Sequence, residues 1–491
     1  MLPRYVHFID GAAVAPASGA FFESIDPTWG RPWALVAQGG PEDVDRAVAA
    51  ARAALPGWSG LKPGARGRCL VALADVIARH ADRLARIEVR DNGKLYAEMR
   101  GQMSYLSEWY RYFGGLADKV EGRVIATDKD HIFNFTRNEP LGVVAMITPW
   151  NSPLLLLTWK LAAALAAGNT AVIKPSEHTS ASTVAFLGLF AEAGFPPGVV
   201  NAVLGDGPDV GVPLVAHPDV AMVAFTGSDG VGQRIYEAAA RDIKHVTLEL
   251  GGKSPNIVFD DADLEAAVMG AISGIFAASG QTCIAGSRLL LHRPIHDAFL
   301  ERFLPVVAAA RIGDPMRPTT NLGPVATRPQ MDKVMGYIDI ARGEGAQCLH
   351  GGARAEGPGI TSDLFVQPTV FGGVTNAMRI AREEVFGPVL AVIPFDDEEE
   401  AFHIANDTAY GLGAGIWTRD MRRALEGSAR VRAGTVWVNT YRALSYTSPF
   451  GGFKRSGLGR EGGVDAIREF LDTKSVWICT NPTVENPFVM R

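Results

Sequence analysis

The segment Gly142-Val-Val-Ala-Met-Ile-Thr148 opens the part of the chain that decides its fold. It is a short run of β-forming residues, and comparable runs follow at residues 170–174, 199–203 and 221–225, with helix-like segments between them. Such alternation predicts a mainly parallel sheet covered by helices. The sequence therefore predicts an α/β fold.

A second set of alternating elements begins near Ser254. It contains Asn256-Ile-Val-Phe259, a helix-like segment over residues 264–278 and the apolar run Arg288-Leu-Leu-Leu-His292. Short apolar runs separated by helix-period segments are typical of a second α/β unit. We therefore expect a second α/β domain that contains Cys283.

Segments outside these two sets have patterns of their own. Residues 41–55 and 68–89 carry apolar side chains at three- and four-residue spacing, which predicts amphipathic helices. Residues 125–137 predict a hairpin, and residues 474–479 predict a terminal strand. Both the hairpin and the strand could pair with other chains.

The composition favours a globular protein with a small-molecule partner. The 491 residues are 47% hydrophobic, which suits roughly two to four domains. The formal net charge of -6 comes without a block of like charges, so we expect neither nucleic acid nor a membrane surface as partner. The four cysteines follow no disulfide or metal-ligand spacing, so we expect a reducing cytoplasm and no metal site.

Two further observations bear on location. The N-terminal residues lack a basic region followed by a long apolar stretch, so no secretion signal is expected. The longest apolar run, residues 153–168, is interrupted by Lys160 and is shorter than the roughly 20 residues that span a bilayer. This run predicts a buried helix.

The stretch Ala277-Ala-Ser-Gly-Gln-Thr-Cys283-Ile-Ala-Gly-Ser287 holds a candidate nucleophile. A cysteine by itself is more often a buried packing residue, but the glycines and polar residues around Cys283 predict an exposed bend. A thiolate there could attack an electrophilic carbon once its surroundings activate it. Cys69, Cys348 and Cys479 lack such a setting and are interpreted as structural.

Glu249 is a candidate general base. It lies in the run His245-Val-Thr-Leu-Glu-Leu250 and precedes two glycines, which predicts a position at the carboxyl end of a strand. Open α/β sheets bind ligands at that edge, and a carboxylate there could activate water. The alternative is a carboxylate satisfied in a buried ion pair, because an unpartnered buried charge is costly.

Three turns could complete a site. The glycines of Phe225-Thr-Gly-Ser-Asp-Gly-Val-Gly232 follow a predicted strand and open a helix, an arrangement that favours a phosphate. Lys174-Pro-Ser-Glu177 follows another strand and could bind ribose hydroxyls. Asn151 in Thr148-Pro-Trp-Asn-Ser-Pro153 could donate a hydrogen bond to an oxyanion. The alternatives are, respectively, a plain strand-to-helix turn, a solvated loop and a simple turn former.

These segments occur in one order over nearly the whole chain, together with Glu383-Glu-Val-Phe-Gly-Pro388 and Ser448-Pro-Phe-Gly-Gly452. In this combination the sequence resembles the NAD(P)-dependent aldehyde dehydrogenase superfamily, of the hydrolytic, non-acylating type. The resemblance implies a Rossmann-type cofactor domain, an α/β catalytic domain and a small β oligomerisation element in a homodimer or homotetramer. We expect these units at residues 1–118 with 141–252, at residues 253–452, and at residues 119–140 with 468–491.

The resemblance also assigns roles to residues. The implied catalytic residues are Cys283 as nucleophile, Glu249 as general base, Asn151 with the Cys283 backbone N–H as oxyanion donors, and Lys160 and Glu461 as proton carriers serving Glu249. The implied cofactor-binding residues are Thr148, Pro149, Trp150, Lys174, Ser176, Glu177, Gly207, Phe225, Gly227, Ser228, Leu250, Glu384 and Phe386. The implied substrate pocket consists of Ser152, Trp159, Ala277, Leu444 and Phe450.

Some of these assignments leave alternatives open. Lys160 and Glu461 could equally be ordinary surface residues. Glu177 should repel a 2′-phosphate, so NAD is the expected cofactor, but Ser176 and Lys174 could share such a phosphate and allow NADP as well.

The pocket residues predict the kind of aldehyde. Where the family often has bulky aromatics, this chain has Ser152, Ala277 and Leu444, so a roomy tunnel and a bulky, aromatic or cyclic aldehyde are expected. Arg442 lies in the loop expected at the tunnel mouth and could pair with a substrate carboxylate, although it could also be a solvated loop residue. A semialdehyde acid is therefore the competing substrate class.

Three other functions remain as alternatives. A coenzyme A-acylating dehydrogenase is disfavoured by Glu249, because acylating relatives commonly lack a carboxylate at that position. A thiol esterase would use Cys283 and Glu249 but would leave the cofactor-like motifs unexplained. A catalytically silent structural protein would not need Cys283, Glu249 and Asn151 together.

Overall fold

Strands and helices alternate along most of the chain in the computed structural model, which describes residues 1–482 and residue 488. The strands are, in chain order, β1 (Arg4–Tyr5), β2 (His7–Ile9), β3 (Ala12–Val14), β4 (Phe21–Asp26), β5 (Arg31–Ala37), β6 (Val124–Ile125), β7 (Ile132–Pro140), β8 (Val143–Ile147), β9 (Thr170–Lys174), β10 (Val200–Ala202), β11 (Val220–Thr226), β12 (His245–Glu249), β13 (Pro255–Val258), β14 (Arg288–His292), β15 (Gln347–His350), β16 (Thr369–Gly372), β17 (Val389–Phe395), β18 (Gly413–Trp417), β19 (Thr435–Val438), β20 (Gly457–Leu458) and β21 (Leu471–Cys479).

The α-helices cover the faces of the sheets. They are α1 (Pro41–Ser59), α2 (Pro63–Asn92), α3 (Tyr96–Leu116), α4 (Pro153–Ala167), α5 (Ala181–Leu187), α6 (Val212–Ala216), α7 (Asp229–Ala240), α8 (Leu264–Phe276), α9 (His296–Ala308), α10 (Arg328–Gly343), α11 (Arg379–Arg382), α12 (Glu398–Asn406) and α13 (Met421–Arg430). Both amphipathic helices expected near the N-terminus are present as α1 and α2.

The first large sheet has the strand order β20-β12-β11-β8-β9-β10-β2-β3. Its five central strands, from β12 to β10, run parallel, whereas β20 and β2 join antiparallel. In this register Ile147 faces Lys174, and Thr226 faces Glu249. The carboxyl ends of these strands therefore form one edge that presents several of the predicted site residues.

The second large sheet has the order β15-β16-β17-β14-β13-β18-β19 and is parallel except for β15. It forms the second α/β unit expected from the sequence. Together the two sheets confirm the α/β fold class.

Two small sheets complete the fold. Strands β1, β5 and β4 form one near the N-terminus. Strands β6 and β7 form the expected hairpin, and β21 pairs with β7 along its length, so the expected terminal strand begins at Leu471. The oligomerisation element expected at residues 468–491 includes residues 483–487 and 489–491, which lie outside the described residues.

Helix α4 is the buried helix expected from the long apolar run. Almost every residue from Pro153 to Ala167 is buried, including Lys160, because sheet strands and helices α2 and α3 pack around it. Among the described residues, no helix combines the length and the apolar character needed to cross a membrane.

Candidate active site

Cys283 follows a tight, left-handed turn at the end of α8. Ala278, Ser279 and Gly280 have φ angles of 56°, 53° and 70°, a region that residues with side chains rarely adopt. Gly280 is pressed against the backbone of Gly387, where an added Cβ would lie 2.1 Å from the carbonyl oxygen. The turn leaves Cys283 at a bend, as expected, but the residue is half-buried and therefore less exposed than predicted.

Asn151 is fastened to this turn. Its side-chain amide donates a hydrogen bond to the carbonyl oxygen of Gln281 at 3.0 Å, and the side chain is buried. The Gln281 side chain in turn accepts a hydrogen bond from the backbone N–H of Ala326 at 2.9 Å. An amide carries two N–H groups, so one donor of Asn151 is left for another acceptor.

The surroundings of Cys283 favour the thiol over the thiolate. Burial, followed by the nearby carboxyl groups of Glu249 and Glu384, raises the pKa of the Cys283 thiol to about 12. Since the thiolate is the nucleophilic form, this cysteine needs a base that removes its proton.

Glu249 ends β12, as predicted, and its carboxyl group is buried. Neither carboxylate oxygen has a hydrogen-bond partner in the described part of the chain. Burial raises the pKa of Glu249 well above its usual value, and the neighbouring Glu461 raises it further, while Lys160 opposes the shift. The alternative of a hydrogen-bonded ion pair for Glu249 is therefore wrong, and the group is suited to accept a proton.

The two glycines after Glu249 let its strand end approach the cysteine turn. A Cβ on Gly252 would lie 2.4 Å from the backbone carbonyl oxygen of Cys283, and a Cβ on Gly251 would lie 2.6 Å from a carboxylate oxygen of Glu384. The Gly252 N–H also donates to Glu384 at 2.9 Å. The geometry therefore brings together three segments that are far apart in sequence.

Lys160 and Glu461 form a buried ion pair behind Glu249. The Lys160 ammonium contacts Glu461 Oε1 and also Thr226 Oγ1, and both charged side chains are almost completely buried. The alternative that they are surface residues is wrong. Burial raises the pKa of Glu461, and the adjacent Lys160 limits that rise.

The predicted cofactor residues Lys174, Ser176 and Glu177 form one polar cluster at the end of β9. Lys174 Nζ donates to the Pro175 carbonyl at 3.0 Å and to Glu177 at 3.3 Å, and Ser176 Oγ lies 3.4 Å from the same carboxylate. Lys174 and Ser176 are buried. The alternative of a solvated loop is therefore wrong for these two residues.

The turn between β11 and α7 brings a helix N-terminus close to the sheet. An added Cβ on Gly227 would lie 2.4 Å from the Phe225 ring, so a larger residue would require that ring to move. Ser228 caps α7 by accepting the Val231 N–H at 3.4 Å. Leu250 packs against the first turn of the same helix, at Gly232.

The other predicted cofactor residues surround the same edge. The buried Thr148 Oγ1 has no hydrogen-bond partner among the described residues. After Pro149, Trp150 packs edge-on against Phe386 with ring centroids 5.3 Å apart. Gly207 begins a short helical turn whose last residue, Gly211, adjoins the Lys174 side chain.

The structure brings three of the five predicted pocket residues to one cavity. Trp159 and Phe450 pack edge to face with centroids 4.9 Å apart, and Leu444 lines the same cavity. Trp109 of α3 is not among the predicted pocket residues, but it also lines the cavity and stacks on Trp159 with ring centroids 5.1 Å apart. No local pattern distinguishes Trp109 from an ordinary core aromatic.

The other two predicted pocket residues contact cations. Ser152 Oγ accepts a hydrogen bond from Lys94 Nζ at 2.6 Å, and the Ala277 carbonyl accepts one from Arg442 at 3.2 Å. Arg442 is therefore anchored to the protein rather than freely solvated. Lys94 was missed because it follows Asn92-Gly93 at the end of α2, a sequence typical of an ordinary helix end.

Comparison with known proteins gives the class of this chain. It matches the model described as Aldehyde dehydrogenase family over residues 14–476. This match defines an α/β enzyme of the oxidoreductase class. The chain belongs to the aldehyde dehydrogenase family, whose members oxidise aldehydes with NAD(P), and the predicted family and fold are confirmed.

Individual relatives cover almost the full length. An aldehyde dehydrogenase of Aspergillus niger is 46% identical over 96% of this chain and 94% of its own. A (Z)-2-((N-methylformamido)methylene)-5-hydroxybutyrolactone dehydrogenase of Acinetobacter baylyi is 44% identical over 99% and 98%. A solved structure of Staphylococcus aureus betaine aldehyde dehydrogenase in complex with NAD+ has a TM-score of 0.97 at 39% identity, over 99% and 97% of the two chains.

Proposed function

We propose that this protein oxidises an aldehyde to a carboxylic acid through a covalent intermediate on Cys283, which water activated by Glu249 then hydrolyses. One observation carries the proposal: Glu249 is a buried carboxyl group without a hydrogen-bond partner in the described residues, and it interacts electrostatically with Cys283. Glu249 helps to raise the pKa of the Cys283 thiol, which indicates that the two groups are close enough to act in one site.

The first step is attack of Cys283 on the aldehyde carbon. Solvent water takes the thiol proton, the sulfur–carbon bond forms, and the carbonyl electrons move to oxygen. The free N–H of Asn151 is suited to stabilise that oxyanion, since its other N–H is held by Gln281. Loss of hydride from the resulting thiohemiacetal leaves a thioester on Cys283.

The second step is hydrolysis of the thioester. Glu249 removes a proton from water, the hydroxide attacks the acyl carbon, and the carbon–sulfur bond breaks to release the acid. Lys160 and Glu461 lie buried next to Glu249, and we propose that they carry the proton away from it. A thioester that is hydrolysed does not need coenzyme A, so the acylating alternative is disfavoured.

The hydride acceptor is proposed to be NAD+, and relatives of known structure hold it. The residues fit this group: the buried Thr148 Oγ1 lacks a partner in the described chain, and α7 begins directly after Gly227 and Ser228, so its N-terminal N–H groups suit a phosphate. Lys174 and Ser176 contact Glu177, and we propose that this carboxylate binds ribose hydroxyls and repels a 2′-phosphate. NAD+ is therefore preferred, with weaker use of NADP+.

The substrate is proposed to be a bulky, aromatic or cyclic aldehyde. The aromatic side chains of Trp109, Trp159 and Phe450 support this proposal, because they suit contact with a flat or cyclic group. The cavity between them and Leu444 has a volume of about 30 Å³, so a bulky aldehyde must widen it to bind. The Acinetobacter baylyi relative is named for a hydroxybutyrolactone, which is a cyclic compound.

A semialdehyde acid is the second candidate substrate. Arg442 supports it, since this guanidinium is anchored at the Ala277 carbonyl beside the Cys283 turn. A 5-hydroxybutyrolactone is itself the ring-closed form of an oxo acid, so the name of the same relative is compatible with both candidates.

We propose a division into a cofactor domain (residues 1–118 and 141–252), a catalytic domain (residues 253–452) and an oligomerisation element (residues 119–140 and 468–491). The separate sheets support it, as β7 and β21 belong to neither large sheet. Exposed apolar residues on these two strands, such as Phe133 and Trp477, support a homodimer or homotetramer.

Four unpaired cysteines suit the cytoplasm.

The test of the proposed function uses purified protein with NAD+ and NADP+ in parallel and a panel of aliphatic, aromatic and carboxylated aldehydes. NADH formation that disappears in Cys283→Ala supports the proposal. Glu249→Gln should retain a single-turnover burst of NADH but lose steady-state turnover. Unchanged steady-state turnover in Glu249→Gln, or no oxidation of any aldehyde by the unmodified enzyme, would contradict it.

A further inference from the structure

The start of α10 connects the turn that carries Cys283 with the segment around Phe386. These two segments hold the proposed nucleophile and a proposed cofactor contact. Thr327 caps the helix by accepting the N–H of Gln330 at 3.2 Å, which fixes that glutamine in the first turn. Residues 323–326, which lead into the helix, are buried.

Gln281 attaches the cysteine turn to the segment ahead of α10. Only 1% of Gln281 is exposed, and its Oε1 accepts the N–H of Ala326 at 2.9 Å. Its Nε2 donates to the Pro324 carbonyl at 3.4 Å. In the same turn, Ser279 Oγ donates to the Gly323 carbonyl at 2.9 Å. The cysteine turn is therefore attached to the segment ahead of α10 at three points.

Gln330 attaches the other segment to the same helix. Its Nε2 donates to the carbonyl oxygens of Val385 and Phe386, at 2.8 and 3.0 Å. Phe386 has a φ angle of 60°, so these two bonds stabilise a backbone conformation that is unfavourable by itself. The backbone also packs closely on α10, because an added Cβ on Gly387 would lie 2.5 Å from a methyl carbon of Val334.

Hydride transfer needs both of these segments at once. The donor carbon is bonded to Cys283, and the proposed cofactor contact is at Phe386. In this step the C–H bond of the thiohemiacetal breaks, the hydride leaves to NAD+, and the electron pair of the oxyanion forms the carbon–oxygen double bond again. A displacement of about 1 Å between reacting groups can lower a rate roughly 100-fold.

We propose that Gln281 and Gln330 are positioning residues for hydride transfer, because together they attach Cys283 and Phe386 to the start of one helix. The inference rests on the proposed dehydrogenase function and adds two residues to it. Neither glutamine carries out a chemical step, since each acts through the backbone that it holds.

A purely structural role is the competing explanation. In that case, loss of either amide would impair the alkylation of Cys283, the binding of NAD+ and hydride transfer alike. A positioning role predicts a different result. Alkylation requires only the cysteine turn and NAD+ binding requires only the other segment, whereas hydride transfer requires the correct distance between them.

The experiment compares the unmodified enzyme with Gln281→Met, Gln330→Met, the double variant and the control Gln347→Met, whose side chain is exposed on β15. Methionine has nearly the length of glutamine but lacks the amide. The burst of NADH is followed by stopped flow with the best aldehyde and with its formyl-deuterated form. The Kd for NAD+ and the rate at which iodoacetamide alkylates Cys283, read by mass spectrometry of its peptide, are measured in parallel.

Each single variant should slow the NADH burst about 10- to 100-fold, and the deuterated aldehyde should slow it further, because hydride transfer then limits the burst. Gln281→Met should keep the Kd for NAD+, and Gln330→Met should keep the alkylation rate of Cys283. The double variant should be no slower than the slower single variant, since loss of either attachment already separates the two segments. Gln347→Met should behave as the unmodified enzyme.

The outcomes separate the inference from the proposed function. A burst of normal rate in either single variant, or a slowed burst without an isotope effect, would overturn the inference while leaving the dehydrogenase function intact. Losses that multiply in the double variant, or equal losses in burst, NAD+ binding and alkylation, would also overturn it.

A further outcome concerns the unmodified enzyme. If it forms no NADH with any aldehyde, the proposed function is overturned and the inference with it. If Gln281→Met does not fold, Gln330→Met alone decides, since Gln330 is only partly buried.

Discussion

Replacement of Gly280 by alanine tests whether the turn before Cys283 is as tightly constrained as the structure indicates. An added Cβ would lie 2.1 Å from the carbonyl oxygen of Gly387, 2.3 Å from its carbonyl carbon and 2.7 Å from the nitrogen of Pro388. All three are backbone atoms, so relief requires more than about 1 Å of movement between the two segments.

The expected magnitude combines two costs. A side chain in the left-handed region costs roughly 1–2 kcal/mol, and forced overpacking adds typically about 1–3 kcal/mol. We therefore expect a loss of about 2–5 kcal/mol in the free energy of unfolding for Gly280→Ala. The same movement would displace Cys283 on one side and Phe386 on the other, and a shift of about 1 Å in a reacting group can lower the rate roughly 100-fold.

Gly373→Ala is the matched control. Gly373 has a φ of 62° but no atom within 4 Å of an added Cβ, so it carries the conformational cost without the clash. The assays are calorimetric unfolding and kcat/KM for the best aldehyde. Gly280→Ala with the stability and the activity of Gly373→Ala would refute the argument that close backbone contact holds the nucleophile in place.

Three further variants test the groups around the nucleophile. Glu249→Gln removes a carboxyl group whose folded-state pKa is raised. Such a group destabilises the folded protein as the pH rises above the pKa of the unfolded state, so the Tm of the variant should rise relative to that of the unmodified enzyme as pH increases. A pH-independent difference in Tm, measured by differential scanning fluorimetry, would contradict this. Lys160→Met leaves the buried Glu461 without its cation and should lower the free energy of unfolding by about 3–5 kcal/mol. The rising limb of the kcat–pH profile should move to higher pH, because the carboxyl groups of Glu249 and Glu461 both lose a favourable charge. Glu461→Gln is the control variant, and an unshifted profile in Lys160→Met would argue against a link to Glu249. Asn151→Ala removes the oxyanion donor and should lower kcat by about 100- to 1,000-fold. It also leaves the buried Gln281 carbonyl without this hydrogen bond, so we expect a loss of about 1–3 kcal/mol in the free energy of unfolding. A rate within a few-fold of normal would exclude Asn151 from the oxyanion role.

The sequence by itself was sufficient for the class of fold and for the family. Alternating β runs and helix-period segments predict a parallel sheet because each element buries one face, and β8, β9, β11 and β12 all occur where such runs were found. The glycines next to Cys283 and Glu249 predict turns, because only small residues allow close backbone approach. Gly280 and Gly252 both make such close approaches in the structure. The catalytic roles proposed for these residues remain predictions, which the variants described above test.

Only the tertiary structure decided which side chains meet. Lys160 and Glu461 are separated by 301 residues, and each reads locally as an ordinary surface residue. Lys94 and Ser152 are 58 residues apart, while Arg442 and Ala277 are 165 apart. Local patterns report how one segment buries its own apolar face, but they carry no information on the segment that packs against it. A buried charge therefore becomes recognisable only when the packing that removes it from water has been determined.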